Sequence, residues 1–375
     1  MHLLAADQGP VRTSSLLFAY WGRRGAGPTL TEAMVRAAQQ DPALTVSLSF
    51  ARQGERSNDL LALTPEPLVI DSFDSALGAL AATARLPALH RQLTSAIKAR
   101  GVDWVITVMP HLWGRLLASA AHRAGARYAV IVHDAQAHPG EESWLLDRLA
   151  TAEIKAADRV IACSAHVARA LKSRHGALPL TTLFHPPFDF GTTTAPTPRE
   201  RPRQPLRLLF FGRLLPYKGL PLLLKAHRLL RTQGLDCALS IVGDGATEGL
   251  TLDTPDVTLV NRWIAEPEIP GVLAEADILV APYVEASQSG VIAAALAAGL
   301  PVVATPVGGL VEQVFPGQTG IVADAVTAEA VADAIRALAS PDLYARCSAG
   351  ALAQAREAGW PAFIRKLTAA LTADD

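Results

Sequence analysis

Two cations, Arg213 and Lys218, stand close together in the stretch LRLLFFGRLLPYKG, Leu206 to Gly219. Leu206 to Phe211 is apolar apart from Arg207 and does not alternate, as expected of a strand covered on both faces. Gly212 lets the chain turn directly after it. Lys218-Gly219 then precedes LPLLLKAHRLLRTQ, whose apolar spacing is helical. Open α/β sheets bind ligands at strand ends, and helix amides add positive potential there. Two cations in that setting suit an anion, and a diphosphate above all, rather than a pair of solvated loop charges. A second strand end carries His133-Asp134, after YAVIV. A third opens the loop WGRRGAGPT, whose Gly22, Gly25 and Gly27 precede a helix begun by Pro28. That loop is neither a Gly-Lys-Ser/Thr phosphate loop nor GxGxxG.

The elements that must position these groups alternate. In the first half, strands are expected at Ser14 to Tyr20, Leu44 to Phe50, Leu68 to Asp71, Trp104 to Val108, Tyr128 to Val132, Arg159 to Cys163 and Leu180 to Phe184. Helices are expected after Pro28, at Pro87 to Arg100, at Leu112 to Ala124, at Glu142 to Ala156 and after Ser164. The polar stretch Ala51 to Pro67 reads as a surface loop. GTTTAPTPRERPRQP, Gly191 to Pro205, lacks periodicity, is rich in proline and reads as a solvated linker. The second half repeats the pattern. Its strands are Leu206 to Phe211, Cys237 to Val242, Val257 to Val260, Asp277 to Ala281 and Pro301 to Thr305. Its helices are the one after Gly219, Pro267 to Ala276, Val291 to Ala298, Thr327 to Leu338, Pro341 to Ala358 and Pro361 to Leu371. Alternation of this kind makes the fold class α/β, with two Rossmann-like domains facing across a cleft. The expected division is a tail at 1–13, a first domain at 14–187, a linker at 188–205, a second domain at 206–358 and a closing helix at 359–375 that packs back on the first domain.

Half of the 375 residues are hydrophobic and 18% are charged, enough for a large core. A formal net charge of -1 shows no basic excess, which argues against a nucleic-acid partner. Cys163, Cys237 and Cys347 lie far apart and form no metal spacing or disulfide framework, so a reducing cytoplasm is expected. MHLLAADQGPVR lacks the features of a signal peptide, and Val291 to Ala304 is interrupted by Gly299 and Pro301. A soluble protein is expected, with docking on the inner face of a membrane left open. His133, Asp134, His138 and Glu141 match no strong metal pattern, and no metal site is expected. His111 and His185 are expected to be structural, and Asp277 to position a strand.

The ordered set FFGRLLPYKGL, SIVGDG, ADILVAPY, AALAAGLPVVATPVGGLVE and TGIV resembles the glycosyltransferases of family 4 (glycosyl transferases group 1), which have the two-domain GT-B fold. The first half matches through YWGRRGAGPTLTEA, VIVHDA, VIACSAHVARAL and HPPFD. The resemblance implies transfer of a sugar, with retention of anomeric configuration, from a nucleotide sugar, with a UDP- or GDP-sugar expected. The acceptor would be a saccharide or lipid-linked saccharide, and no other cofactor or metal is implied. Catalytic roles fall to His133, near the transferred sugar, and to Arg213 and Lys218 on the diphosphate. Gly25 and Gly27 resemble the loop that approaches the diphosphate from the first domain. Gly212 and Gly243 resemble its strand-end partners.

The chain departs from the family at one place. The glutamates usual around the helix after ADILVAP fall on Ala286, beside Glu285, and on Ala294. Ser287, Gln288, Ser289, Gly290 and Val291 open that helix instead, as in a Gln-Ser-Gly variant subgroup. Backbone amides there can still bind phosphate, and Glu312 is a candidate for the ribose. Two other readings stay open. One is a GT-B-fold epimerase or hydrolase. The other is a non-catalytic nucleotide-sugar-binding scaffold subunit.

Overall fold

The computed structural model describes residues 14–23, 25–72, 78, 83–136, 143–188, 190, 196–250, 252, 254 and 256–373. Two separate sheets carry the chain, and every pairing in them is parallel. The first contains β1 (Ser14–Tyr20), β2 (Leu44–Ala51), β3 (Leu68–Ile70), β4 (Trp104–Thr107), β5 (Arg127–Val132), β6 (Arg159–Ala162) and β7 (Leu180–Thr182). Their spatial order is β3-β2-β1-β4-β5-β6-β7. The second contains β8 (Leu206–Phe211), β9 (Cys237–Gly243), β10 (Val257–Asn261), β11 (Ile278–Ala281), β12 (Val302–Ala304) and β13 (Gly320–Val322), in the order β10-β9-β8-β11-β12-β13. Strand order therefore reverses between β1 and β4 and again between β8 and β11. At such a switch the loops leaving the strands diverge and open a crevice at their carboxyl ends.

The unalternating runs become strands buried on both faces, as Leu16 to Tyr20 and Tyr128 to Val132 show. Helices supply the cover. Those of the first domain are α1 (Gly27–Gln39), α2 (Ser57–Leu61), α3 (Leu86–Ala99), α4 (Gly114–Ala124), α5 (Trp144–Ile154) and α6 (Ala165–His175). The second domain has α7 (Leu220–Thr232), α8 (Ile269–Ala274), α9 (Gly290–Ala297), α10 (Leu310–Gln313), α11 (Ala328–Leu338) and α12 (Pro341–Glu357). The last helix, α13 (Trp360–Thr372), packs against α1 of the first domain, with Phe363 edge-on to Phe184 at 5.9 Å. One apolar cluster holds Phe18 and Met34 of the first domain, Phe363 and Leu367 of α13, and Leu279 and Leu296 of the second.

A single device aligns the strands at the other edge of the sheets. Asp103 accepts the amide of Ser15 at 2.8 Å, Asp158 that of Tyr128 at 2.7 Å and Asp277 that of Arg207 at 2.9 Å. Each carboxylate precedes one strand and accepts the amide of the second residue of its neighbour. Asp277 is thus a strand-positioning group, far from the crevice edge.

Several local expectations change. The polar stretch 51–67 is not all loop: it holds the end of β2 and one turn of helix, α2, anchored by buried Leu60. The helix expected over 267–276 divides into a 3-10 turn at Glu266–Glu268 and the short α8, with prolines at the start of both. α4 starts at Gly114, two residues late, because the His111 ring accepts the Trp113 amide at 3.1 Å. α10 and β13 were too short to announce themselves by period. Linker residues Arg199 and Arg203 are not merely solvated. Arg199 donates to the carbonyls of Leu273 and Ala276, and Arg203 to those of Ala274 and Glu275, completing the carboxyl end of α8.

Candidate active site between the two sheets

The carboxyl edges of the two sheets meet through side chains from loops that follow the strands. Glu266, after β10, accepts from Thr29 at the start of α1, and Arg56 donates to it at 2.8 Å. Gln288, after β11, meets His133, after β5, at 2.9 Å. The Ser164 hydroxyl, after β6, donates to the Ser287 carbonyl at 3.4 Å. Glu312, after β12, accepts the α6 amides of Ala165 at 2.6 Å and His166 at 2.8 Å.

Arg213 and Lys218 both lie in the loop after β8, but the fold treats them differently. Arg213 is exposed. Lys218 is only 8% exposed, with Nζ 4.9 Å from the centroid of the Tyr283 ring. Nζ donates to the Tyr283 hydroxyl at 3.1 Å, and that oxygen lies 3.3 Å from Ser289 Oγ. Ser289 in turn caps α9, accepting from the Ile292 amide at 3.4 Å. The ammonium is thus tied by neutral hydroxyls to the start of α9, and no carboxylate pairs with it among the described residues. Gly212 makes room for it. With φ at +113°, a Cβ there would lie 3.0 Å from Lys218 Nζ and 3.2 Å from Val291 Cγ2.

The turn before α9 is held rigidly. Gln313 accepts the Ser289 amide at 2.7 Å and donates back to the Ser289 carbonyl at 3.0 Å. Gly308 and Gly309 press against the same turn: a Cβ on either would come within 2.0 Å of the carbonyls of Ala286 or Ser287. The next amides, Gly290 and Val291, have no acceptor among the described residues. Two open amides at the N-terminus of α9, with Lys218 beside them, form a cradle for a phosphate group.

His133 is 6% exposed and both ring nitrogens are engaged. Nε2 faces the Val108 carbonyl at 3.1 Å and Nδ1 faces the Gln288 amide. Its pKa is lowered, chiefly by burial, with Asp134 and the Val108 carbonyl opposing. His185 stands edge-on to it at 5.8 Å, and burial pushes His185 down to about 4. His185 thus packs against His133, with Nδ1 2.8 Å from the Pro186 carbonyl.

Other expected donor residues take packing roles in this structure. Gly27 lies under the Tyr20 ring, where a Cβ would be 2.0 Å from Tyr20 Cε2, while Gly25 is open. Gly243 presses on Gly212, a Cβ there falling 1.8 Å from its carbonyl oxygen. The outer face of Gly290 is filled by Phe188, 3.0 Å from where a Cβ would be. Glu285 is exposed. Glu312, proposed from sequence for the ribose, has both oxygens occupied by the first α6 amides, which the Ser164 cap on Val167 leaves open and whose partial positive charge suits a carboxylate. Sequence reasoning missed Tyr283, Gln313 and the Val108 carbonyl. The tyrosine ends the quoted motif ADILVAPY, but its role depends on a contact made across the loop. His138 and Glu141 lie outside the described residues. Among the described residues no three His, Cys, Asp or Glu side chains are grouped to hold a metal, and no helix is long and apolar enough to cross a membrane.

Comparison with known proteins agrees with this geometry. Residues 65–191 match the family described as Glycosyltransferase Family 4, and residues 205–340 match Glycosyl transferases group 1. A D-inositol 3-phosphate glycosyltransferase of Arthrobacter sp. (strain FB24) is 35% identical over 39% of this chain and 38% of its own length. A GDP-mannose-dependent alpha-(1-6)-phosphatidylinositol monomannoside mannosyltransferase of Mycolicibacterium smegmatis is 31% identical over 59% of this chain and 63% of its own. The matches to the curated relatives thus span about half of their length, as the 54% covered in a Pseudarthrobacter chlorophenolicus relative illustrates. The crystal structure of Anabaena Alr3699/HepE in complex with UDP-glucose superposes with a TM-score of 0.69 at 19% identity, over 96% of this chain and 99% of that one. At that identity the likeness establishes the fold, which is GT-B. A region similar to Glycosyltransferase Family 4 thus leads, a region similar to Glycosyl transferases group 1 follows, and both lie on this frame.

Proposed function

We propose that this protein transfers a sugar from a nucleoside-diphosphate donor to an acceptor hydroxyl, with retention of anomeric configuration. The observation that carries the reading is the buried Lys218 ammonium, which among the described residues has only a neutral hydroxyl as hydrogen-bond partner and lies beside the open amides of Gly290 and Val291. A buried charge without a counter-ion is costly. A diphosphate supplies the missing charge, and exposed Arg213 of the same loop would complete its neutralisation.

In this reading the bond from the sugar C1 to the diphosphate oxygen breaks first. Negative charge grows on the leaving phosphate, where Lys218, Arg213 and the α9 amides stabilise it. The acceptor hydroxyl then attacks C1 from the same face and gives its proton to the departing phosphate oxygen. Retention follows, and no side-chain base or metal is required. Both nitrogens of His133 are engaged, Nε2 at the Val108 carbonyl of its own domain and Nδ1 at Gln288 of the other, which suits a group that shapes the sugar site rather than a base. We assign the chain to a variant subgroup in which the Gln-Ser-Gly turn replaces the usual pair of glutamates.

The names of the relatives support a UDP- or GDP-linked donor and an acceptor of the saccharide, polyol or lipid-linked class. Exposed Trp144, Leu145 and Leu146 at the start of α5 support a peripheral approach to a lipid surface. The test is a thermal-shift screen of UDP-, GDP- and ADP-sugars, followed by proton NMR of the product made with EDTA present. An α-linked donor should give an α-linkage, with nucleotide released only when acceptor is added. A β-linkage would sink retention, and acceptor-independent nucleotide release would indicate a hydrolase. Tight donor binding without turnover on any acceptor would favour a scaffold.

A further inference from the structure

Gln288 lies between the domains with one end of its amide satisfied and the other not. Its nitrogen is 2.9 Å from His133 Nδ1, whereas its Oε1 is buried and has no hydrogen-bond partner among the described residues. His133 decides which end is which. The Val108 carbonyl at 3.1 Å can only accept, so the hydrogen of a neutral ring sits on Nε2. Nδ1 then carries a lone pair and calls for the amide NH2. The Gln288 oxygen is therefore turned away from His133 and left as a buried acceptor with no donor. Such atoms are rare in native proteins and call for an explanation, of which a bound ligand is one.

The missing partner must carry an O–H or N–H group. A phosphate does not qualify, because a diphosphate offers mainly acceptor oxygens. Gln288 immediately precedes the Ser289 cap and the open amides of Gly290 and Val291, so its partner lies next to the phosphate cradle. The part of a nucleotide sugar that is rich in hydroxyls and adjoins the diphosphate is the sugar itself.

Resting on the transferase reading above, we propose that Gln288 Oε1 accepts a hydrogen bond from a hydroxyl of the transferred sugar. His133 is then a positioning residue: it holds the amide so that the oxygen faces the ligand. Gln288 becomes the specificity-determining group of this chain, a neutral acceptor where the family has glutamates elsewhere along the same helix. An acceptor-substrate hydroxyl offers the same chemistry, and binding measured without any acceptor separates the two sources.

Isothermal titration of the full chain tests this, using UDP-glucose and GDP-mannose as probes, with UDP and GDP as their sugar-free controls. Gln288→Leu should weaken the preferred nucleotide sugar by about five- to tenfold and leave the nucleoside diphosphate within about twofold. Among monodeoxy analogues of the sugar, one should bind wild-type protein more weakly than the parent yet bind Gln288→Leu no differently from it. Gln288→Glu keeps an acceptor oxygen and should keep that discrimination. His133→Ala, which releases the amide, should lose it without losing nucleoside diphosphate affinity. The proposal is overturned if a folded Gln288→Leu protein discriminates every deoxy analogue as wild type does. Equal losses for the sugar nucleotide and the bare diphosphate would also overturn it. A wild-type protein that binds neither would defeat the transferase reading and this one with it, a result plainly different from intact nucleotide binding with unaltered discrimination.

Discussion

Two buried ionisable side chains, Glu153 in the first domain and Lys218 in the second, are treated in opposite ways. In the first domain Glu153, on α5, is fully buried and both oxygens are satisfied. One accepts from the Tyr128 hydroxyl at 2.6 Å and the other from the His111 amide at 2.8 Å. Its carboxyl group fits so closely against α4 that a Cβ on Gly114 would lie 1.9 Å from it. Burial raises its pKa to about 7 despite both hydrogen bonds. In the second domain Lys218 has one neutral hydroxyl at hydrogen-bond distance and open amides nearby. Glu153 closes a network that the protein completes by itself, and it holds the loop from His111 to Gly114 in place. Lys218 leaves a network incomplete. Burial alone therefore does not identify a functional charge; what distinguishes it is burial without satisfaction.

Removing each charge should separate the two cases. Lys218→Ala takes away a charge-assisted phosphate contact, worth about 1.5–3 kcal/mol, and should lower donor affinity roughly ten- to a hundredfold with little loss of thermal stability. Arg213→Ala should act in the same direction but less, because Arg213 is exposed and solvent screens it. Titration calorimetry with the donor and a melting curve together would decide, and wild-type affinity in Lys218→Ala would break the comparison.

Glu153→Gln should do the reverse. In the folded chain Glu153 keeps its proton up to about pH 7, against an ordinary 4.5, so the unfolded chain releases that proton first. Stability from this group is complete below the unfolded pKa and falls as pH rises toward 7, by on the order of 3 kcal/mol. Glutamine can donate to the Tyr128 oxygen and accept from the His111 amide without that penalty. Urea midpoints should thus fall between pH 5 and pH 8 in wild type by more than in Glu153→Gln. Subtracting the variant also removes the opposing contributions of His111 and His185, both pushed down to about 4 by burial. Parallel profiles for the two proteins would show that Glu153 is not the neutral member of the pair.

The smallest effect is expected at the domain junction. Glu312→Ala leaves the Ser164 cap of α6 in place but removes the carboxylate that accepts the Ala165 and His166 amides, a loss of about 0.5–2 kcal/mol. Small-angle scattering should show a larger average separation of the domains, while donor affinity falls by no more than about fivefold. A large loss of nucleotide affinity with unchanged scattering would return Glu312 to the donor site.

Most of the chain's strands, and the position of Arg213 and Lys218 between a strand and a helix, were legible because they are local. Unalternating apolar runs of strand length, divided by helical periods, force a parallel sheet with helices on both faces. Arg213 and Lys218 stand on either side of one turn, so a dozen residues set their place in the chain, although Lys218 finds its partner in Tyr283, which leads on to Ser289. Asp277, at the start of the expected strand Asp277 to Ala281, was likewise read as a strand-positioning group. What sequence could not supply was the state of each side chain. Glu312 and Glu153 look alike as carboxylates on helical stretches, yet one caps a helix of the other domain and the other is driven toward neutrality inside its own. Gln288 and His133 are separated by 155 positions and meet only because the two sheets present their carboxyl edges to each other. Local sequence determines period, breaks and charge, since those depend on neighbouring residues. Satisfaction of a buried polar group depends on every element packed around it, and here only the tertiary structure decided which charges were answered and which were left for a ligand.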